Sequence, residues 1–459
     1  MFDLDLKKYQ SFFNDYGELR VQKNSDAYII INKSDVVWNT NKSSSGLSVR
    51  TGRGGIWGFS SSGEINNNGI KQCFHEAQNK LDWLAGKQQR ILPAITASAG
   101  NGEYLYRPQN KALKANEKIS FLLEMDNYLL KKYPDLSNRR FSLISSNVEK
   151  KYLNSAGGYY HLNRPLTHLV LSLVMNQDDD PISVYNSFSE FGHLQDNIKP
   201  VESYYAKLDE LYEHLRKKCE GVYAKPGVHD VVLDADLAGI LSHEAIGHTT
   251  EADFVLKGSI AGDLLGKKVA SEKVTLVDVA HTYKDELCPV PVFVDDEGTL
   301  AEDAVIIRDG VLENYMHSRD TAMRLNMQPQ GNARAYGYYD EPLVRMRNTM
   351  ILPGTSKLDD MIADVEDGYY LIRSSNGQAD TTSEFMFGVV LGYEIKNGKL
   401  GKAIRDMTIS GVAFDVLKSV KAISQEYKFG VGTCGKKQQI SVGMGGPAIR
   451  CKVTIGGQQ

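Results

Sequence analysis

From Val228 onward the chain reads as short β-branched runs broken by glycine-rich turns: VVLD, KVTLVDV, VPVFVDDEG, DAVIIRDG, FMFGVVLGYEIKNGK and AIRDMTI. Runs of this length and makeup are strands, and Asn397-Gly398 between two of them marks a two-residue hairpin. Such a stretch leaves room for few helices. We expect one over the LSHEAIGH segment, one near 356–366, and one capped at Ser410 with Val412, Val416, Leu417 and Val420 facing inward. Before Gly221 the texture differs. Val201, Tyr204, Tyr205, Leu208, Leu211, Tyr212, Leu215 and Cys219 recur at helical spacing, which makes Cys219 a core position. Residues 117–133 put Leu122, Met125, Leu129 and Tyr133 on one face and stop before Pro134. Hairpins are expected over Tyr28–Phe59, and from RRFSLISSNVEKKYLNS through Gly157-Gly158 into LTHLVLSLVM. The fold class is therefore α+β. A mixed α/β N-terminal domain over 1–222, with a twisted antiparallel sheet and helices, precedes a β-rich C-terminal domain over 223–459 that carries the LSHEAIGH helix. AKPGVHD forms the junction, and 459 residues are enough for two cores.

The charge balance excludes some functions. A net charge of -4 argues against a nucleic-acid surface, and the lysine pairs at 132, 217, 267 and 436 are scattered and read as solvated. The glycines at 52, 54, 55 and 58 do not fit a dinucleotide fingerprint. No apolar run is long enough to cross a membrane, and the opening residues carry acids where a secretory signal needs an apolar core. Five separated cysteines, 73, 219, 288, 434 and 451, suit a reducing compartment, so a cytoplasmic protein is expected.

The chemistry concentrates in His243-Glu244-Ala245-Ile246-Gly247-His248. On a regular α-helix, residues four apart differ by about 40° around the axis and residues five apart by about 140°, too far for two imidazoles to share one ion. The pair therefore needs a distortion within 243–248. It is either a π-type turn, which returns i and i+5 to one face, or a helix end at Gly247 that swings His248 back. Asp234 and Asp236 are N-cap candidates upstream, and Glu244 stands where an activated water could lose its proton. A catalytic site of this kind takes three protein ligands. The third is open among Glu251, a distant carboxylate and a distant cysteine. Cys434 stands out because it lies in the glycine-rich GVGTCGKKQQISVGMGGP without apolar periodicity, whereas Cys288 and Cys451 have strand-like neighbours. Glu251 and Asp253 either orient an imidazole or cap the next element. Asp295-Asp296-Glu297-Gly298 reads as a hairpin turn, Arg345 and Arg347 as parts of a half-buried strand, and glycines 52–58 and 443–446 as tight turns or places where a peptide backbone approaches closely.

SHEAIGHTTEADF, VDDEGTLAEDAVIIRDGVLENY, SRDTAMRL, QGNARA, RMRNTMILPG, GYEIKNGKLG and TCGKKQQISVGMGGP occur in an order that resembles the TldD branch of the TldD/PmbA, or modulator-of-gyrase-like, metallopeptidases. The resemblance implies His243 and His248 as metal ligands, Cys434 as the third and Glu244 as the catalytic glutamate. It also implies metal-dependent hydrolysis of unfolded or leader-type peptides bound in extended form, and pairing with a PmbA (TldE)-like subunit or a second copy. One departure stands at Lys437-Gln438, where the family has an acidic residue and a glycine, so a charge is reversed and a glycine lost beside the cysteine. One divalent metal is expected, zinc first because hydrolysis needs no redox change, with iron as the alternative. Two rival functions are a non-catalytic peptide-binding or regulatory subunit and a metal hydrolase of a non-peptide amide.

Overall fold

The structure is a computed structural model that describes residues 4–87, 100–177 and 180–456. The chain is α+β, and two large sheets divide it. The first has seven strands. Tyr16–Asn32 and Asp35–Arg53 form a long hairpin continued by Ile56–Ser62, and Asn138–Asn154 and Tyr159–Gln177 extend the sheet on the other side. The outer edge of Tyr159–Gln177 pairs in parallel with Asn101–Leu105 and antiparallel with Asp180–Phe191. The GRGGIWG stretch is the corner between two of these strands, where Gly54 and Gly55 take φ of +57° and +80° that suit glycine.

Alternate residues of these strands face opposite sides. On one side Ile29, Ile31, Phe141, Leu143, Leu169 and Leu171 pack under the helices Ala115–Lys132 and Glu202–Cys219, while Leu19, Val21, Leu47 and Val49 pack under Asn67–Ala85. The first two helices were legible from their spacing; Cys219 sits partly buried against that core. The opposite face meets the C-terminal half of the chain. Arg20 donates to Asp340 O (2.7 Å), Gln22 to Tyr336 O (2.6 Å), Arg50 pairs with Glu297 (2.6 Å) and Lys150 with Asp296 (2.6 Å).

The second sheet has eleven strands from Gly227 to Gly456, and its centre is the pair Gly227–Leu233 and Gln438–Gly456. Asn397 and Gly398 form the expected hairpin turn, with φ of +49° and +73°. Several expectations are corrected. Ser410 caps no helix: the strand Met407–Val412 runs through it, and the helix Ala413–Lys418 follows Val412 with Val416 and Leu417 buried. The backbone of TIS is paired by a strand on each side, at Ser410 by Met386 and Thr454, and this outweighs the hydroxyl's capping preference. Arg319–Leu325, capped by Ser318, is a helix that the strand-like texture concealed. VPVFV contributes only an isolated bridge, Val294 to Leu300, and Asp295–Gly298 does turn there, but its carboxylates are buried rather than solvated. The helix near 356–366 is present as Leu358–Ala363. Among the described residues no helix is long and apolar enough to cross a membrane.

Candidate metal centre

Strand Gly227–Leu233 delivers Asp234, whose Oδ1 accepts from Leu237 N at 2.9 Å and starts the helix Ala235–Ile240. The helix then widens into a π-turn over Leu241–Gly247, and His248 N donates to His243 O, a bond spanning five residues. That is the π alternative of the two distortions the histidine spacing required. Gly247 keeps helical φ (-54°), so its value is room rather than a reversal: a Cβ there would lie 2.0 Å from Met346 Sδ. Gly239 serves in the same way, since its Cβ would lie 2.9 Å from Gly445 N. Glycines 443–446 are therefore neither turns nor bare surface. They sit within strand Gln438–Gly456 and let the motif helix press onto the sheet.

The π-turn brings His243 and His248 onto one side with ring centroids 5.3 Å apart. Cys434 joins them from strand Ala422–Lys436, with Sγ 3.2 Å from His248 Nε2, and the three donor atoms lie within 4.8 Å of one another. The glycine-rich stretch around Cys434 is thus no loop but a hairpin of two strands, with Lys437 at the turn (φ +57°), and Cys434 is 1% exposed. Glu244 is half-buried, with Oε2 3.7 Å from His248 Nε2. Cys288 and Cys451 are buried elsewhere.

The donor set fits a metal ion. His243 is fully buried, yet neither ring nitrogen has a hydrogen-bond partner. A buried polar group left unmet costs about 1–3 kcal/mol, a deficit that coordination would remove. Zinc–nitrogen and zinc–thiolate bonds at a tetrahedral angle place N and S about 3.6 Å apart, close to the spacing here. Electrostatics point the same way. Burial, aided by His248, Arg345 and Arg334, holds His243 well below the usual histidine range and therefore neutral. For His248 burial also opposes charge, but Glu251 and Cys434 outweigh it and push the group up to about 10. Glu251 faces Nδ1 and Cys434 faces Nε2, so the nitrogen left to a cation is the one turned to the sulfur. Burial raises the Glu244 carboxyl, with His248 pulling the other way.

Glu251 orients His248: its Oε2 accepts from Nδ1 at 2.9 Å and turns Nε2 towards Cys434. Behind it lies a residue misread as surface. Lys436 is 9% exposed, and its Nζ contacts Glu251 Oε2 (3.0 Å), Asp253 Oδ1 (2.7 Å) and Val344 O (2.9 Å). Lys218, from another of the lysine pairs, is also buried, 2.7 Å from Asp406. The signal for Lys436 was its place two residues beyond Cys434 on a strand, hence on the same face. Arg345 and Arg347 are fully buried, not half-buried. Arg345 donates to the carbonyls of Cys434 (2.6 Å), Lys436 (3.1 Å) and Gln438 (3.0 Å), while Arg347 pairs with Asp278 at 2.8 Å. At the family departure, Lys437 is exposed and Gln438 ties down a neighbouring loop, accepting from Tyr336 N (2.8 Å) and donating to Glu341 O (2.9 Å).

Over Tyr427–Thr433, strand Ala422–Lys436 pairs only with Gln438–Gly456 among the described residues and its other edge is open; at Ile423–Gln425 that edge bonds Gly354–Ser356, and Arg345 takes the carbonyls of Cys434 and Lys436. Cavities follow it: one of about 1070 Å³ along Ser424–Lys428, one of about 420 Å³ along Lys428–Val431, and another of about 420 Å³ along Val431–Thr433. Asp236 and Ile240 line the second, on the helix face that continues one turn later to Glu244.

Three family models match the chain: "PmbA/TldA metallopeptidase domain 1" over 17–79, "central domain" over 108–207 and "C-terminal domain" over 226–457. A metalloprotease TldD homolog from Buchnera aphidicola subsp. Acyrthosiphon pisum is 30% identical over 96% of this chain and 93% of its own length. A zinc metalloprotease TldD homolog from Saccharolobus solfataricus is 27% identical over 90% of each chain. The crystal structure of TldE from Thermococcus kodakarensis superposes with a TM-score of 0.76 at 15% identity, covering 98% of each chain, and so shares the fold.

Proposed function

The chain belongs to the PmbA/TldD metallopeptidase family and is a metallopeptidase, and from that premise we propose that it hydrolyses extended, unfolded or leader-type peptides at one divalent metal held by His243, His248 and Cys434. A metal bound there supplies Lewis acidity to the scissile carbonyl and acidifies a water. Zinc suits two imidazoles and a thiolate with no redox step, and iron(II) is the alternative. Glu244, beside His248 and with a carboxyl raised by burial, takes the proton of the attacking water and later returns it to the departing amine. Glu251 holds the His248 ring in place, and Lys436 keeps Glu251 ionised.

The open edge over Tyr427–Thr433 receives the substrate. A peptide added there as a strand bonds through its main chain, which favours extended segments of varied sequence. A second subunit, either another copy or a PmbA/TldE-like chain, completes the assembly; the shared fold of TldE supports this. Five free cysteines fit a cytoplasmic setting.

The observation that carries the reading is the convergence of three metal-binding side chains from two distant parts of the chain beside a half-buried glutamate. The test compares wild type with Glu244→Gln on an unstructured polypeptide, with bound metal measured on both. We expect equal metal content and a turnover about 10²–10⁴-fold lower in the variant, the usual worth of a general base. Full activity in Glu244→Gln would refute the mechanism, and a metal-loaded wild type without activity would favour a binding role.

A further inference from the structure

The cavity along Val431–Thr433 has a floor built by the register of the first sheet. Asn24, Val148 and Arg164 lie side by side across three strands, and Asp26, Ser146 and Leu166 form the next row. All six face the same way because each row is two residues along from the last. The roof is the hairpin that carries Cys434, through Thr433, Gln439 and Ser441. Cys434 points to the metal side of that hairpin and Thr433, its neighbour, to the cavity side. One strand thus separates the two.

Arg164 is the feature of this cavity that the fold leaves unused. Its neighbours in charge are committed elsewhere: Asp296 is held by Lys150 at 2.6 Å, and Arg334 spends its Nη groups on Met346 O and Ser441 O. Among the described residues the Arg164 guanidinium forms no hydrogen bond or ion pair. Asp26 shares the floor but sits two strands across and one row along, about 12 Å away between Cα atoms, so it is no partner. Burial lowers the Arg164 guanidinium from its usual range, with Asp296 and Tyr160 pulling the other way. The apolar side chains around it, Ile144, Val148, Leu166 and Val290, offer nothing to a multiply charged group. One planar guanidinium between apolar neighbours and neutral hydrogen-bonding groups, Asn24, Ser146 and Gln439, suits a single carboxylate, whose two oxygens match its fork.

We propose that this cavity is a specificity pocket for a carboxylate carried by the substrate peptide, with Arg164 as its counter-ion. The proposal rests on the peptidase reading and refines it. A peptide lying on the open edge over Tyr427–Thr433 alternates its side chains between the two faces of the hairpin, so while one residue faces the motif helix its neighbour faces the cavity. The carboxylate is either an acidic side chain or the peptide's own C-terminus.

Binding to the full-length Glu244→Gln protein separates these sources without turnover. Three fluorescein-labelled peptides are compared by anisotropy: one amidated with a single Glu, the same with Gln in its place, and the Gln peptide with a free C-terminal carboxylate. At least one of the anionic peptides should bind about tenfold tighter than the amidated Gln peptide, as a desolvated charge pair allows, and the one that does identifies the source. Arg164→Gln, added to the same background, should bring the preference to within about twofold, and Arg164→Lys should keep part of it. Ser146→Asp, which supplies a carboxylate from within the cavity, should also suppress it while leaving Arg164 in place. An anionic preference that survives Arg164→Gln and Ser146→Asp, or none in the unaltered pocket, overturns the proposal alone. Failure of every peptide to bind overturns the peptide reading together with it.

Discussion

Replacing Lys436 with methionine removes a buried charge that two acids depend on. Glu251 is fully buried and Asp253 mostly so, and the Lys436 ammonium lies 3.0 Å from one and 2.7 Å from the other. Burial would raise the Glu251 carboxyl, but Lys436, and after it His248, hold it below the usual glutamate range. Breaking a buried pair by removing one partner costs about 3–5 kcal/mol, because the remaining charge stays out of water without compensation. Lys436→Met should therefore shift the urea midpoint down by that much free energy at pH 7, with little change in slope. Glu251→Gln should cost about 1–3 kcal/mol, since Asp253 still holds the lysine but His248 loses its carboxylate partner. In the double variant the Lys436–Glu251 pair goes as a unit and only Asp253 is left without its partner, so its loss should fall short of the sum by about 1–3 kcal/mol, within the range seen for residues in one ionic network. Losses that add to within about 0.5 kcal/mol would refute the claim that Lys436 acts through Glu251.

Two further outcomes follow from the fold. Gly239→Ala places a Cβ 2.9 Å from the backbone N of Gly445, which cannot step aside, so a loss of about 1–3 kcal/mol in thermal or urea unfolding is expected, with weaker metal binding because the motif helix is pushed off the sheet. Burial would raise Asp296, but Lys150 and Arg20 outweigh it and hold the carboxyl at about 2. A carboxyl depressed in the folded state stabilises above its unfolded pKa of about 3.9 and ceases to as pH falls through the folded value. Stability should thus drop by roughly 2–3 kcal/mol between pH 5 and pH 2 from this group, and Asp296→Asn, followed by urea unfolding across that range, should flatten the slope; an unchanged slope would contradict the assignment.

How far the sequence foretold the structure depended on the range of the interactions involved. The histidine spacing demanded a distortion because the angle per residue is local geometry, and a π-turn stands there. Helical spacing and the Asn397-Gly398 turn are likewise local, and both were readable. The burial of Asp296 and Glu297 was not, because their partners Arg20, Arg50 and Lys150 come from another sheet. Arg345 and Lys436 looked ordinary for the same reason: the carbonyls and carboxylates that satisfy them meet only when the Cys434 hairpin closes on the motif helix. Ser410 misled because a hydroxyl beside an apolar run signals a cap only where no strand claims its backbone.

The most direct measurement is a divalent-metal titration of chelator-stripped protein followed by elemental analysis. Wild type should retain one tightly bound ion per chain, and His243→Ala, His248→Ala and Cys434→Ala should each lose it while remaining folded. Retention of the ion with unchanged affinity in Cys434→Ala, or in both histidine variants, would contradict the three-ligand centre.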